Sequence, residues 1–279
     1  MMRDGLQYLR RRRGAKWERL QSVEPQPIYV WLDRTLRVRM IPRGDIARVI
    51  YLLQPFVWIG RGFEQLQIRY FASLLSAHSV VLDIGANAGV YSLAANRITH
   101  GRARVVAVEP SSHSFELLTR NIAANDAAVK PIRSAVADQP GTAKLGLPAG
   151  VPTGFGDAYL SLAAAGPGEV VGVDTIDRIV ISEGLGELGV IKIDVEGWQL
   201  RALLGAQQCL TSASECTVIF ENPPDELNTH IPGYSQEETF RLLRELGYSI
   251  LRWEGKSLIP FGDKVSPSGD FVARKGKGK

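Results

Sequence analysis

The sequence is poor in the residues on which several kinds of chemistry depend. Of 279 residues only two are cysteine, Cys209 and Cys216, and they have no metal-binding or redox spacing. Such a pair reads as packed thiols and excludes a disulfide scaffold. The four histidines, at positions 78, 100, 113 and 230, form no metal-ligand run. No apolar stretch approaches the ~20 residues that span a bilayer. The N-terminus lacks an apolar signal core, so the expectation is a cytoplasmic protein. The body of the chain is also short of positive charge. Residues 1–20 carry seven Arg and Lys against Asp4 and Glu18, a net +5, and residues 274–279 carry +4. With +4 overall, the part between them is at −5. A nucleic-acid enzyme would more usually carry a basic face on its folded body, so no nucleic-acid partner is expected. The basic ends suit a solvated tail, or weak contact with an anionic membrane surface.

What is present is concentrated in one stretch, Val80 to Ser92. Val80–Leu82 is apolar and partly β-branched, as in a strand buried on both faces. Asp83 to Gly89 is a tight turn with two glycines, where backbone can approach a ligand closely. From Val90 the pattern becomes helical. Strand, glycine turn and helix start form the nucleotide-binding corner of an open α/β sheet. Charge selects the nucleotide. A pyrophosphate-binding loop needs Gly-x-Gly-x-x-Gly at this corner, whereas the spacing here is Gly85-x-x-x-Gly89, and Asp83 would repel a pyrophosphate. An acid there suits a ligand bearing an ammonium and a sulfonium, namely S-adenosylmethionine (SAM). A second apolar strand, Arg104–Val108, ends in Glu109 at the spacing of an acid that holds both ribose hydroxyls. Gly85, Ala86, Asn87 and Gly89 would line the methionyl part. Ala135 and Val136 would flank the adenine, with Asp138 accepting from its amino group.

The motifs Asp83-Ile-Gly-Ala-Asn-Ala-Gly89, Val108-Glu109-Pro110, Val173-Asp-Thr-Ile-Asp177 and Lys192-Ile-Asp-Val-Glu-Gly197 follow in the order of the FkbM family of SAM-dependent methyltransferases, which the chain resembles over roughly residues 60–225. The resemblance implies O-methylation of hydroxyls on polyketides, sugars or glycans. One departure is Gln199, where the family usually has an acid.

The rest of the chain is consistent with that architecture. Residues 1–60 read as an extension with a basic tail and a short hairpin, Ile28–Leu32 with Leu36–Ile41. Residues 61–273 read as the methyltransferase domain and 274–279 as a basic tail. A helix over Gln65–Leu75 precedes the first core strand. Strand and helix patterns then alternate, which implies right-handed crossovers and a parallel sheet. Strand three is expected at about Val129–Val136. The rhythm breaks at Pro140-Gly141, and residues 140–175 read as an antiparallel β insertion that serves as a lid. A fourth strand ends at Asp194, followed by a helix from Gly197 to about Leu210, and a fifth strand ends at Glu221. Tyr248–Trp253 and Asp270–Ala273 close the sheet as an antiparallel pair. The expected fold is therefore a doubly wound, mostly parallel, seven-stranded Rossmann-like sheet.

An alcohol is a poor nucleophile until its proton is removed. The candidate bases are Asp194, Glu221 and His230. Asp194, Glu221 and Asn222 also resemble the Mg²⁺ site of catechol-type O-methyltransferases, but a divalent cation is the less favoured reading, because the family is not defined by a metal. Two other functions compete with a small-molecule, sugar or glycan O-methyltransferase. An RNA or protein N-methyltransferase would use the basic tails, but Asn222-Pro-Pro-Asp225 lacks the aromatic such enzymes carry. A nucleoside-binding protein without catalysis would not need acids at several strand ends.

Overall fold

The computed structural model describes residues 13–20, 25–59, 62, 64–146, 159–161, 168–222, 235–262 and 269–276. The chain opens with helical residues 13–20 (α1), whose Trp17 is 1% exposed and packs on Tyr51. The expected hairpin forms as β1, Ile28–Trp31, and antiparallel β2, Arg37–Met40. Helix α2, Gly44–Leu53, runs into a 3-10 turn over Gln54–Ile59, where Pro55 cannot donate to the α-helical ladder. Helix α3, Gln65–Ser73, leads to the main sheet.

That sheet is built on β3, Val80–Ile84; β4, Arg104–Val108; β5, Val129–Ile132; β10, Val190–Ile193; and β11, Cys216–Glu221, all parallel. Helices α4, Val90–Ile98, and α5, Ser112–Ala124, follow the first two strands, and Ser111 caps α5 through Ser114 N–H. The sheet closes with β12, Ser249–Glu254; β13, Ser257–Pro260; and β14, Asp270–Lys275, in the order β13-β12-β14-β11-β10-β3-β4-β5. The antiparallel closing pair is thus present. An eighth strand, β13, extends the expected seven, because the turn Gly255, at φ +60°, folds the chain back along β12.

Strand three divides. Val129–Ile132 stays at the edge of the main sheet, where Pro131 needs no ladder partner on its outer side. Residues Ala135–Val136 leave it as β6 and pair with β9, Glu169–Asp174, in a second sheet. The order there is β6-β9-β7-β8, with β7 at Gly141–Gly146 and β8 at Tyr159–Ser161, and the β7 pairings are antiparallel, as expected of the insertion. The rest of the expected lid, residues 147–158 and 162–167, lies outside the described residues.

Helix α6, Ile176–Ser182, precedes β10. The expected single helix from Gly197 to Leu210 is two, α7, Gln199–Leu204, and α8, Gln207–Ser212. Gly205 sits so close to β6 that a Cβ would come within 2.2 Å of the Ala137 carbonyl, and Asp177 caps the new helix start through the N–H groups of Gln208 and Cys209. Helix α9, Gln236–Glu245, ends at Gly247, φ +86°, as the C-terminal glycine predicts.

The extension is not a separate layer. One apolar cluster joins Trp17, Val30, Leu32 and Phe71 with Val81, Val105 and Val272. Helix α1 and the strand through Lys275 also take residues from the two expected tails, because Trp17 is buried and Lys275 donates to the Leu210 and Thr211 carbonyls.

Candidate active site

The turn after β3 is shaped by its glycines. Gly85 has φ +76°, and a Cβ on it would lie 1.7 Å from the Asp194 carbonyl oxygen. Gly89 has φ +85°, and a Cβ on it would lie 2.7 Å from the Leu118 side chain of α5. Asn87 shares the left-handed region at φ +47°, which asparagine tolerates best among side chains. Ala86 is buried in the turn. Asn121 of α5 braces this turn: its amide donates to the Ala88 carbonyl at 2.8 Å and accepts from Ile41 N–H at 2.7 Å.

Asp83 is 2% exposed, and one of its oxygens accepts from the Ser92 N–H and hydroxyl at the start of α4. Burial pushes its carboxyl up to about 6, the Ser92 hydrogen bonds notwithstanding. Glu109 lies across the turn. Its two oxygens each accept one backbone N–H at 2.9 Å, from Asn87 and from Ser111. Burial lifts it to about 7, and the charges of Asp83 and Asp194 add to that. A buried carboxylate that lacks donors is costly. Each Glu109 oxygen keeps an acceptor site for the vicinal hydroxyls of a ribose, so the residues fit the expected cofactor.

Strand register gathers the other acids. The ends of four neighbouring strands carry Gly85, Asp194, Glu221 and Asp270, with Glu221 directly opposite Asp270. Period-2 alternation puts Lys192 on the same face as Asp83, its register partner. Lys192 is 3% exposed, and its ammonium lies 3.3 Å from Asp194 and 5.3 Å from the Tyr91 ring centre. Burial alone would pull it down, but Asp194, Glu64 and Asp270 outweigh that and hold it above the usual lysine range. Glu221 is pushed up to about 7 by burial and by the charges of Asp194 and Asp270.

The remaining expected residues fall elsewhere. Asp138 pairs with Arg201 at 3.0 Å, and Arg201 in turn covers the ring of buried Trp198. Ala135 and Val136 are buried in β6. His230 lies outside the described residues. Asn222 is fully buried; its side-chain amide donates to the Gln236 backbone carbonyl at 3.2 Å, and the Gln236 side-chain amide donates to the Asn222 backbone carbonyl at 2.7 Å. Among the described residues no cluster of three His, Cys, Asp or Glu suits a metal ion. Glu64 and Tyr91 were not among the sequence candidates. Tyr91 donates to Glu64 at 2.6 Å, and both border Lys192. The signal was the lysine inside Lys192-Ile-Asp194, since a buried ammonium on a strand needs carboxylates around it.

The glycine turn, the strand-two acid and this strand order define the Rossmann-like fold of class I methyltransferases. The family described as "Methyltransferase FkbM domain" matches residues 83–250. The chain belongs to that family: it is a methyltransferase, with SAM as its cofactor. It is 26% identical over 205 residues to "Methyltransferase sdnD" of Sordaria araneosa, a match covering 63% of this chain and 79% of that one. A methyltransferase FkbM structure from Methylobacillus flagellatus aligns with TM-score 0.46 and 16% identity over 83% of this chain and 56% of that one. An O-methyltransferase from Bacillus cereus, solved with S-adenosylhomocysteine, aligns with TM-score 0.45 and 13% identity, covering 76% and 80%. No helix among the described residues is long and apolar enough to cross a membrane.

Proposed function

We propose that the protein methylates a hydroxyl group on a small molecule, sugar or glycan. SAM bound at this corner supplies an electrophilic methyl group. Glu109 would hold its ribose, Asp83 would balance its positive charge, and Gly85 would let the methionyl part pass over the β3–β10 junction. The acceptor would enter from the β11 side, where Asp194 and Glu221 stand.

The observation that carries this reading is the pair of carboxylates at adjacent strand ends in unlike settings. Asp194 is held by the Lys192 ammonium. Glu221 stands beside Asp194 and Asp270, and burial and those charges push it up to about 7. A proton acceptor works best when its pKa is close to the working pH. Glu221 is therefore assigned to take the hydroxyl proton and Asp194 to orient the hydroxyl. Incubation with tritium-labelled SAM and separate neutral glycan, lipid and RNA pools tests the reading. Label in an alkali-stable ether of the glycan or lipid pool supports it, and label confined to RNA or protein refutes it.

A further inference from the structure

We propose that Glu64, which precedes the matched domain, is a positioning residue of the active site: hydrogen-bonded to Tyr91, whose ring faces the Lys192 ammonium, it helps hold that ammonium and so sets where the Asp194 carboxylate points. The family match begins at residue 83, yet the carboxylates around Lys192 do not all come from within it. Helix α3 contributes two groups. Gln67 donates to Asp270 at 2.5 Å, and Glu64 takes the Tyr91 hydroxyl.

The backbone of Glu64 shows that this contact is favoured over local alternatives. Glu64 stands at the N-cap of α3 with φ +39° and ψ +33°, a left-handed conformation that costs a non-glycine residue energy. An acid at a helix start would ordinarily take the free N–H groups of the first turn. Glu64 makes no such capping bond and sends its carboxylate across to Tyr91 instead. Tyr91 is itself fixed, 6% exposed and edge-on to Phe71 at 5.2 Å.

The electrostatics give the contact its purpose. Lys192 is a fully buried cation, whereas the Asp194 side chain is 35% exposed and has room to turn. Glu64 fixes the Tyr91 ring that lies against the ammonium and adds its negative charge to the same pocket, and the cation so held then fixes Asp194. Burial raises the Glu64 carboxyl, and Lys192 and the Tyr91 hydrogen bond pull against that. The charged and titratable groups on this pocket are Asp83 on β3, Tyr91 on α4, Lys192 and Asp194 on β10 and its end, Glu221 on β11, and Asp270 on β14.

The test uses the full chain carrying Glu64→Gln, with Tyr91→Phe as a second variant that removes only the hydrogen-bond donor. In lysine-15N-labelled, SAM-free protein, the Lys192 ammonium signal is assigned by its loss in Lys192→Arg. Glu64→Gln should move its deprotonation to lower pH and speed its hydrogen exchange at least tenfold, and Tyr91→Phe should do the same to a smaller extent. SAM affinity by calorimetry should stay within about twofold. Methyl transfer from labelled SAM to the neutral glycan pool should fall at least tenfold in kcat, with KM for SAM unchanged. An unmoved Lys192 signal together with kcat within twofold of wild type overturns the proposal. Loss of SAM affinity and transfer in parallel with a fall in Tm also overturns it, since that is a structural role only. The transfer measurement rests on the hydroxyl reading above and the lysine measurement does not. A wild-type protein that labels no glycan therefore fails that reading alone.

Discussion

With the ribose on Glu109, as proposed, SAM binding would be a proton-linked event. The group sits near 7 in the SAM-free protein, raised from an ordinary value of 4.5 mainly by burial. Ribose hydroxyls donate to the ionised form, so binding drives the proton off. At pH 6 the free protein keeps about 0.9 proton on a group of this kind, and at pH 7.5 about a quarter. SAM affinity should therefore rise about eightfold between those values, close to 1.2 kcal/mol. The stability of the free protein runs the other way. A folded-state value above the unfolded one means that the folded form binds more protons between about 4.5 and 7, so stability falls as pH rises through that window. The loss from this one group is at most about 3 kcal/mol. The assay is calorimetry of SAM binding at about pH 6.5 in two buffers of different ionisation enthalpy, which counts protons released. Glu109→Gln should remove the release centred near 7 and weaken SAM by about 1–3 kcal/mol, since an amide can meet only one of the two N–H donors. A residual release at lower pH belongs to Asp83. Zero release in the wild type, with an affinity flat from pH 6 to 7.5, would falsify the assignment of the ribose to Glu109.

Further outcomes are expected. Gly85→Ala would place a Cβ 1.7 Å from the Asp194 carbonyl, so it should cost about 3 kcal/mol or more of stability and abolish SAM binding by calorimetry; a stable variant with normal affinity would contradict the close approach. Glu221→Gln keeps the shape while removing the assigned proton acceptor, and should cut kcat by about 10²–10⁴-fold with SAM affinity nearly unchanged. Removal of residues 1–12 and 277–279 should leave SAM affinity and Tm intact, whereas removal through residue 20 takes out buried Trp17 and should lower Tm by several degrees in a thermal melt.

The parts of this structure that follow from short, contiguous patterns were readable beforehand. Val80–Gly89 and Arg104–Glu109 each place strand, turn and acid within a dozen residues, so local spacing alone located them. The hairpin is of the same kind. What was missed depends on contacts between distant segments. Val129–Val136 reads as one run, and only the pairing of β6 with β9 divides it. The helix break at Gly205 comes from the Ala137 backbone, almost seventy positions earlier in the chain. Glu64 resembles an ordinary helix-start acid, and nothing near it in the sequence announces Tyr91 or Lys192.

The Asn121 amide joins three parts of the chain made at different times. It holds Ile41 in the extension and Ala88 in the glycine turn, 80 and 33 positions before it. During synthesis the hairpin leaves the ribosome first and cannot complete this bond until α5 has followed. The bracing of the glycine turn therefore waits for α5, and both Asn121 bonds are complete only when the extension has docked against it. SAM added during refolding should then act on the last stage of assembly, slowing escape from the finished state more than it speeds the approach to it.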